Sequence, residues 1–272
     1  MSTGQGYRPR SSTTVSITGS GTAADAPPSW FKTVIVVIVI AIVAALLFHW
    51  FRPKPVQAAC VVGVDVRGSS TLNIEQYRQW LPGILDSCAL STRARVSVVP
   101  ITSRTVTGVT PAVRINLAET PDLSGDPTND KARVKDALVG FIADEVPSVF
   151  DTAAQDGGGT DLLGFAEVAL PELANAAPGS TLVMTSDGIH NQEPYRLQHI
   201  TLDQASIDRY IAELRDAGRI PDLRGVDVYM YGVGVGNTTS GADADLLQGV
   251  ERFWRAYWSA SGANLRAYQK QP

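Results

Sequence analysis

The sequence predicts an α/β domain, a doubly wound and mostly parallel sheet flanked by helices, preceded by one transmembrane helix. Three observations predict it. Short apolar runs alternate with amphipathic stretches from Ala58 to the end of the chain. Several of those runs are apolar at successive positions, as strands covered on both faces must be. Ahead of them, residues 34–48 (VIVVIVIAIVAALLF) are fifteen apolar residues without a break.

In chain order, residues 1–29 are rich in Ser, Thr and Gly, cannot bury a core, and are expected to be a disordered tail. Residues 30–51 read as the membrane helix, 22 residues that reach roughly 33 Å. Trp30, Trp50 and Phe51 stand where interfacial aromatics belong, and Lys32 can snorkel. A cleaved signal peptide is the rival reading, because Val56-Gln57-Ala58 resembles the small-residue pattern before a cleavage site. That leader would be unusually long, with two cations between the apolar run and the cut, so an uncleaved signal anchor is the preferred reading. Arg8, Arg10, Lys32 and the amino terminus on the N-terminal flank, against Arg52 and Lys54 on the other, lean slightly towards a cytoplasmic N-terminus. The C-terminal domain is then extracytoplasmic and the protein single-pass. Residues 52–57 are a linker, and 58–272 form the domain.

Within that domain, residues 60–65 (CVVGVD), 96–101 (VSVVPI), 180–186 (STLVMTS) and 226–233 (VDVYMYGV) read as strands. One helix is expected over residues 129–146, carrying Val134, Ala137, Leu138, Phe141 and Ile142, and another from near Asp161 with Leu162, Phe165, Val168 and Ala169. A third has Ile207, Tyr210, Ile211 and Leu214 at helical spacing, closed by Gly218. The last runs through Leu247, Val250, Phe253, Trp254, Tyr257 and Trp258. Its aromatics are expected in the core, with Glu251, Arg252 and Arg255 outward and Trp258 only partly covered. Cys60 opens the first strand, and the helix after it runs back and should end near Cys88, despite Pro82. A disulfide between the two is therefore expected.

Composition narrows the function. Five cations face one anion, Asp25, in residues 1–57, so the rest of the chain carries −8 against −4 overall, which argues against nucleic acid as a partner. Two cysteines and three scattered histidines (His49, His190, His199) do not make a structural zinc site. Arg outnumbers Lys 18 to 5, which suggests a GC-rich bacterial genome.

In sheets of this class ligands bind beyond the carboxyl ends of the strands. Three loops there carry the informative residues: Asp65-Val66-Arg67-Gly68-Ser69-Ser70, Asp156-Gly157-Gly158-Gly159-Thr160-Asp161, and Thr185-Ser186-Asp187-Gly188. Acidic residues, hydroxyls and a glycine loop at one edge suit a hard, oxygen-ligated cation. Taken singly, each loop is better explained as a turn or a helix cap.

Together, in this order and spacing, they resemble a von Willebrand factor A domain, also called an integrin I-type domain, over about residues 58–270. The pieces that carry the likeness are VVGVDVRGSS, GGGTDL, LVMTSDG and VDVYMYGVGVGN. The resemblance implies a metal-ion-dependent adhesion site holding Mg²⁺, with Asp65, Ser69, Thr160 and Asp187 at matching positions. Arg67 stands where the motif has its first Ser, and a guanidinium has no acceptor to offer a cation. Two readings of Arg67 stay open. It either forks over the carboxylates of Asp65 and Asp187 as a tethered counter-ion, or points to solvent beside a weakened metal site.

The resemblance implies a membrane-anchored binding or assembly module that recognises a protein partner through its top face, with Arg67, Ser70 and His190 as partner-facing candidates. His190 is expected as an exposed loop residue bordering the site. No nucleophile–base pair for turnover is evident, so the chain is not expected to be an enzyme. The alternatives are a metal-dependent hydrolase or phosphoryl-transfer enzyme with Asp65 as nucleophile, and a structural subunit of an envelope complex.

Overall fold

The computed structural model describes residues 29–51, 58–65, 74–88, 94–103, 105, 113–116, 127–140, 159–173, 179–235 and 241–272. The chain separates into two compact units, Met1–Arg52 and Pro53–Pro272. In the first, helix α1 spans Ser29–Phe51, starting one residue before the expected segment. Val, Ile and Leu recur on every side of it, so no single face is marked as inward. Its described side chains, Val34 and those from Val36 to Phe48, are all exposed. Counted over residues whose side chains are described, no helix is long and apolar enough to cross a membrane. The tail and the linker 52–57 lie outside the described residues.

The second unit is an α/β fold. Its six-stranded sheet has the order β3-β2-β1-β4-β5-β6. The strands are β1 Ala58–Asp65, β2 Ala94–Ile101, β3 Val113–Asn116, β4 Thr181–Thr185, β5 Asp227–Tyr231 and β6 Asn264–Gln269. Every pairing is parallel except β2 with β3. The central strand β1 is buried from Ala59 onward because both its faces are covered. Val61 packs into one core with Phe165, Ile207 and Trp254, while Cys60, Val62 and Val64 pack into another with Trp80, Ile84 and Val134. That two-residue alternation is what a strand's geometry imposes.

Among the described residues, five α-helices cover the two faces: α2 Ile74–Ser87, α3 Pro127–Gly140, α4 Leu162–Leu173, α5 Gln204–Asp216 and α6 Gly241–Ala260. Helix α3 was expected to reach residue 146, and positions 141–150, with Phe141 and Ile142, lie outside the described residues. Asp203 caps α5 by accepting from Ser206 N, and Gly218, at φ +69°, closes it as expected. Helix α2 ends one residue before Cys88, and Cys60 and Cys88 form the expected disulfide, with a Cα separation of 5.5 Å.

Two packing details fix the sheet against its helices. A Cβ on Gly63 would lie 2.5 Å from Phe165 Cζ, so only glycine lets α4 lie this close to β1. In α6, Phe253, Trp254, Tyr257 and Trp258 are all fully buried. Trp258 was expected to be only partly covered; instead it stacks on Trp254 and its Nε1–H donates to Met230 Sδ at 3.2 Å, which closes it into the core. Arg252 and Arg255 are exposed, as expected.

Candidate functional site

Strand order reverses between β1 and β4. From β1 the chain moves outward through β2 to β3; from β4 it moves the other way through β5 to β6. In sheets of this class the carboxyl ends of the strands at such a switch point are where ligands bind. Asp65 is the last residue of β1, and Asp187 stands two residues past the end of β4. Both are fully buried.

One hydroxyl joins them. Ser186 Oγ donates to Asp65 Oδ2 at 2.7 Å and lies 3.5 Å from Asp187 Oδ1. The same oxygen accepts from Gly188 N at 3.2 Å, so its single hydrogen is available for the carboxylate side. Asp187 Oδ1 accepts from Ile189 N at 2.8 Å, and its backbone carbonyl accepts from Gly234 N at 2.9 Å. These bonds hold the Asp187 loop to the end of β5. Sequence reasoning quoted Ser186 but gave it no role. Its adjacency to Asp187 at the end of a buried strand was the available signal.

Thr160 lies at the entrance to α4 and is buried at 1% exposure. Its carbonyl accepts from Asn191 N at 2.9 Å, which ties the glycine loop to the segment after Asp187. Glycine is required beside it, since a Cβ on Gly159 would come within 2.5 Å of Asn191 O. Arg67, Ser69 and Ser70 lie outside the described residues.

His190 corrects an expectation. It is not an exposed loop residue but fully buried, so it offers no surface to a partner. Its Nδ1 accepts from Leu162 N at 3.1 Å, with Leu163 N at 3.5 Å. The pKa of the ring is pushed down to about 3, first by burial and then by the charge of Arg219, while the backbone of Gln192 works against the shift. The ring is therefore neutral at physiological pH, with its hydrogen on Nε2. On the other flank Trp254 Nε1–H donates to Gly188 O at 2.7 Å. Burial raises the pKa of the Tyr268 hydroxyl, and the charges of Glu251 and Asp187 add to the effect.

Two carboxylates with neighbouring hydroxyls form a hard-oxygen donor set, which suits Mg²⁺ or Mn²⁺ in chemistry. Among the described residues, no group of three or more His, Cys, Asp or Glu side chains is gathered for a metal. From the described residues, a metal at this edge would draw on Asp65, Asp187 and neighbouring hydroxyls. No protein-family model and no curated protein matches the chain.

Proposed function

We propose that the chain is a membrane-anchored binding or assembly module, resembling a von Willebrand factor A domain, that recognises a protein partner through the carboxyl-end face of its sheet. The observation that carries this reading is the pairing of two buried carboxylates, Asp65 and Asp187, across one serine hydroxyl at the switch point between β1 and β4. Buried like charges are costly, and a bound cation offsets that cost while leaving a coordination place for a partner's acidic group. Asp65, Ser69, Thr160 and Asp187 would hold Mg²⁺, with Arg67 and Ser70 beside it on the partner-facing side. Whether Arg67 weakens the metal or takes its place is decided by titrating the protein with Mg²⁺ and Mn²⁺ alongside Arg67→Ser.

The membrane anchor rests on the sequence, where residues 34–48 are fifteen apolar residues without a break between flanking aromatics. The extracytoplasmic placement of the domain is supported by the Cys60–Cys88 disulfide, because thiols in the cytosol are kept reduced.

Purification of the full chain from solubilised membranes tests the reading. A partner held by wild type should be lost with Asp187→Ala and kept with Asp222→Ala, a change on the loop that enters β5 at the opposite edge. Retention by both variants, or loss from both, defeats recognition through this face. Mg²⁺-dependent hydrolysis of an aryl phosphate that disappears in Asp65→Asn would establish the hydrolase instead.

A further inference from the structure

We infer that His190 is the positioning residue of this site, its neutral imidazole tying the loop that carries Thr160 to the loop that carries Asp187. The inference rests on reading Asp65, Thr160 and Asp187 as one site.

The first turn of a helix has N–H groups without helical partners. In α4, Gly164 N is satisfied in the ordinary way, by Asp161 Oδ1 at 2.8 Å. Leu162 N is not satisfied by its own segment. It donates to His190 Nδ1 at 3.1 Å, across 28 residues of chain. Thr160 precedes Leu162 by two positions, and Asp187 precedes His190 by three. A second rung runs alongside, Asn191 N to Thr160 O at 2.9 Å. The backbone of His190 is fixed from its other side, where Leu197 N donates to its carbonyl at 3.0 Å.

An apolar residue would fill this space without burying two ring nitrogens. What the imidazole adds is an acceptor aimed at the start of α4. Removing that acceptor frees the Thr160 loop to move relative to Asp187, and a cation held by both would feel the change directly.

The test uses the full chain in detergent micelles as wild type, His190→Ala and His190→Asn, the last placing Oδ1 where Nδ1 lay. Three histidines keep a nitrogen-15 spectrum of the rings readable. Near neutral pH the wild type should show one buried ring in the Nε2–H form, and that signal should vanish from both variants. Amide exchange at Leu162 and Asn191 should speed up about tenfold or more in His190→Ala and return towards wild type in His190→Asn. Binding of Mg²⁺ or Mn²⁺ should weaken by about tenfold in the alanine variant and recover in the asparagine variant. An Nδ1–H ring, unchanged exchange at Leu162, or equal metal affinity in wild type and His190→Ala overturns the inference. A wild type that takes up neither metal, with the exchange pattern intact, defeats the metal reading and sustains the tie between the loops. If His190→Ala does not fold, the wild-type ring form decides alone: Nε2–H supports the inference and Nδ1–H overturns it.

Discussion

Acidification reaches His190 only through the unfolded chain. In the folded state the ring resists protonation down to about pH 3, against an ordinary value of 6.5, because it is buried and faces the positive charge of Arg219. The unfolded chain therefore takes up a proton below pH 6.5 that the folded chain refuses. The stability this ring contributes is complete above pH 6.5 and is lost progressively as the pH falls towards 3. Well below pH 6.5 the slope is about 1.4 kcal/mol per pH unit, so moving from about pH 7.5 to about pH 5 removes about 2 kcal/mol. Urea unfolding of the full chain with its disulfide intact, followed by near-ultraviolet circular dichroism, measures this against His190→Asn. Both chains share the same carboxylates, so their difference isolates the imidazole. The asparagine variant should gain about 2 kcal/mol relative to wild type across that interval. A constant difference, or a wild type that gains on the variant in acid, would refute a buried neutral ring.

Gly63→Ala should cost about 1–3 kcal/mol by driving a methyl into the Phe165 ring, seen as a lower urea midpoint at unchanged slope. An unshifted midpoint would mean that α4 has room to move. Reduction of Cys60–Cys88 should lower stability by about 2–4 kcal/mol, and identical midpoints with and without reductant would deny the bridge that role. Trp254→Phe keeps an aromatic ring in the core but leaves Gly188 O without its indole donor. The expected loss is about 1–3 kcal/mol with faster amide exchange at Ile189, and unchanged exchange there would show that the loop does not depend on α6.

Strands β1, β2, β4 and β5 were legible in the sequence: the first three are nearly continuous apolar runs buried on both faces, and β5, only partly covered at Asp227 and Tyr229, still carries buried Val228, Met230 and Tyr231. The two edge strands were not. In β3, Val113 and Ile115 alternate with Arg114 and Asn116 over only four residues, too short for a period to emerge. In β6 the alternation is broken by a bulge: Leu265 faces Val228 and Ala267 faces Tyr229, leaving Arg266 as the extra residue. At the site, Asp65, Thr160 and Asp187 were readable as residue types following strands or opening a helix. The role of Ser186 was not, since a hydroxyl that bonds a carboxylate across the sheet has no local pattern. His190 misled for a related reason. Its neighbours Asn191 and Pro194 suggest a surface turn, while its burial comes from a contact with α4 28 residues away.

The bond between Ser186 and Asp65 spans 121 residues of chain, whereas the disulfide closes over only 28. Closing a short loop costs less chain entropy than bringing β4 beside β1 after the whole intervening segment has been made. A chain emerging from synthesis can thus be covalently stapled at Cys60–Cys88 while the end of the sheet that carries Asp65 still lacks Ser186 and Asp187. Possession of the Asp65–Ser186–Asp187 arrangement is in this sense a late property of the molecule: it cannot form until most of the chain has been made and folded.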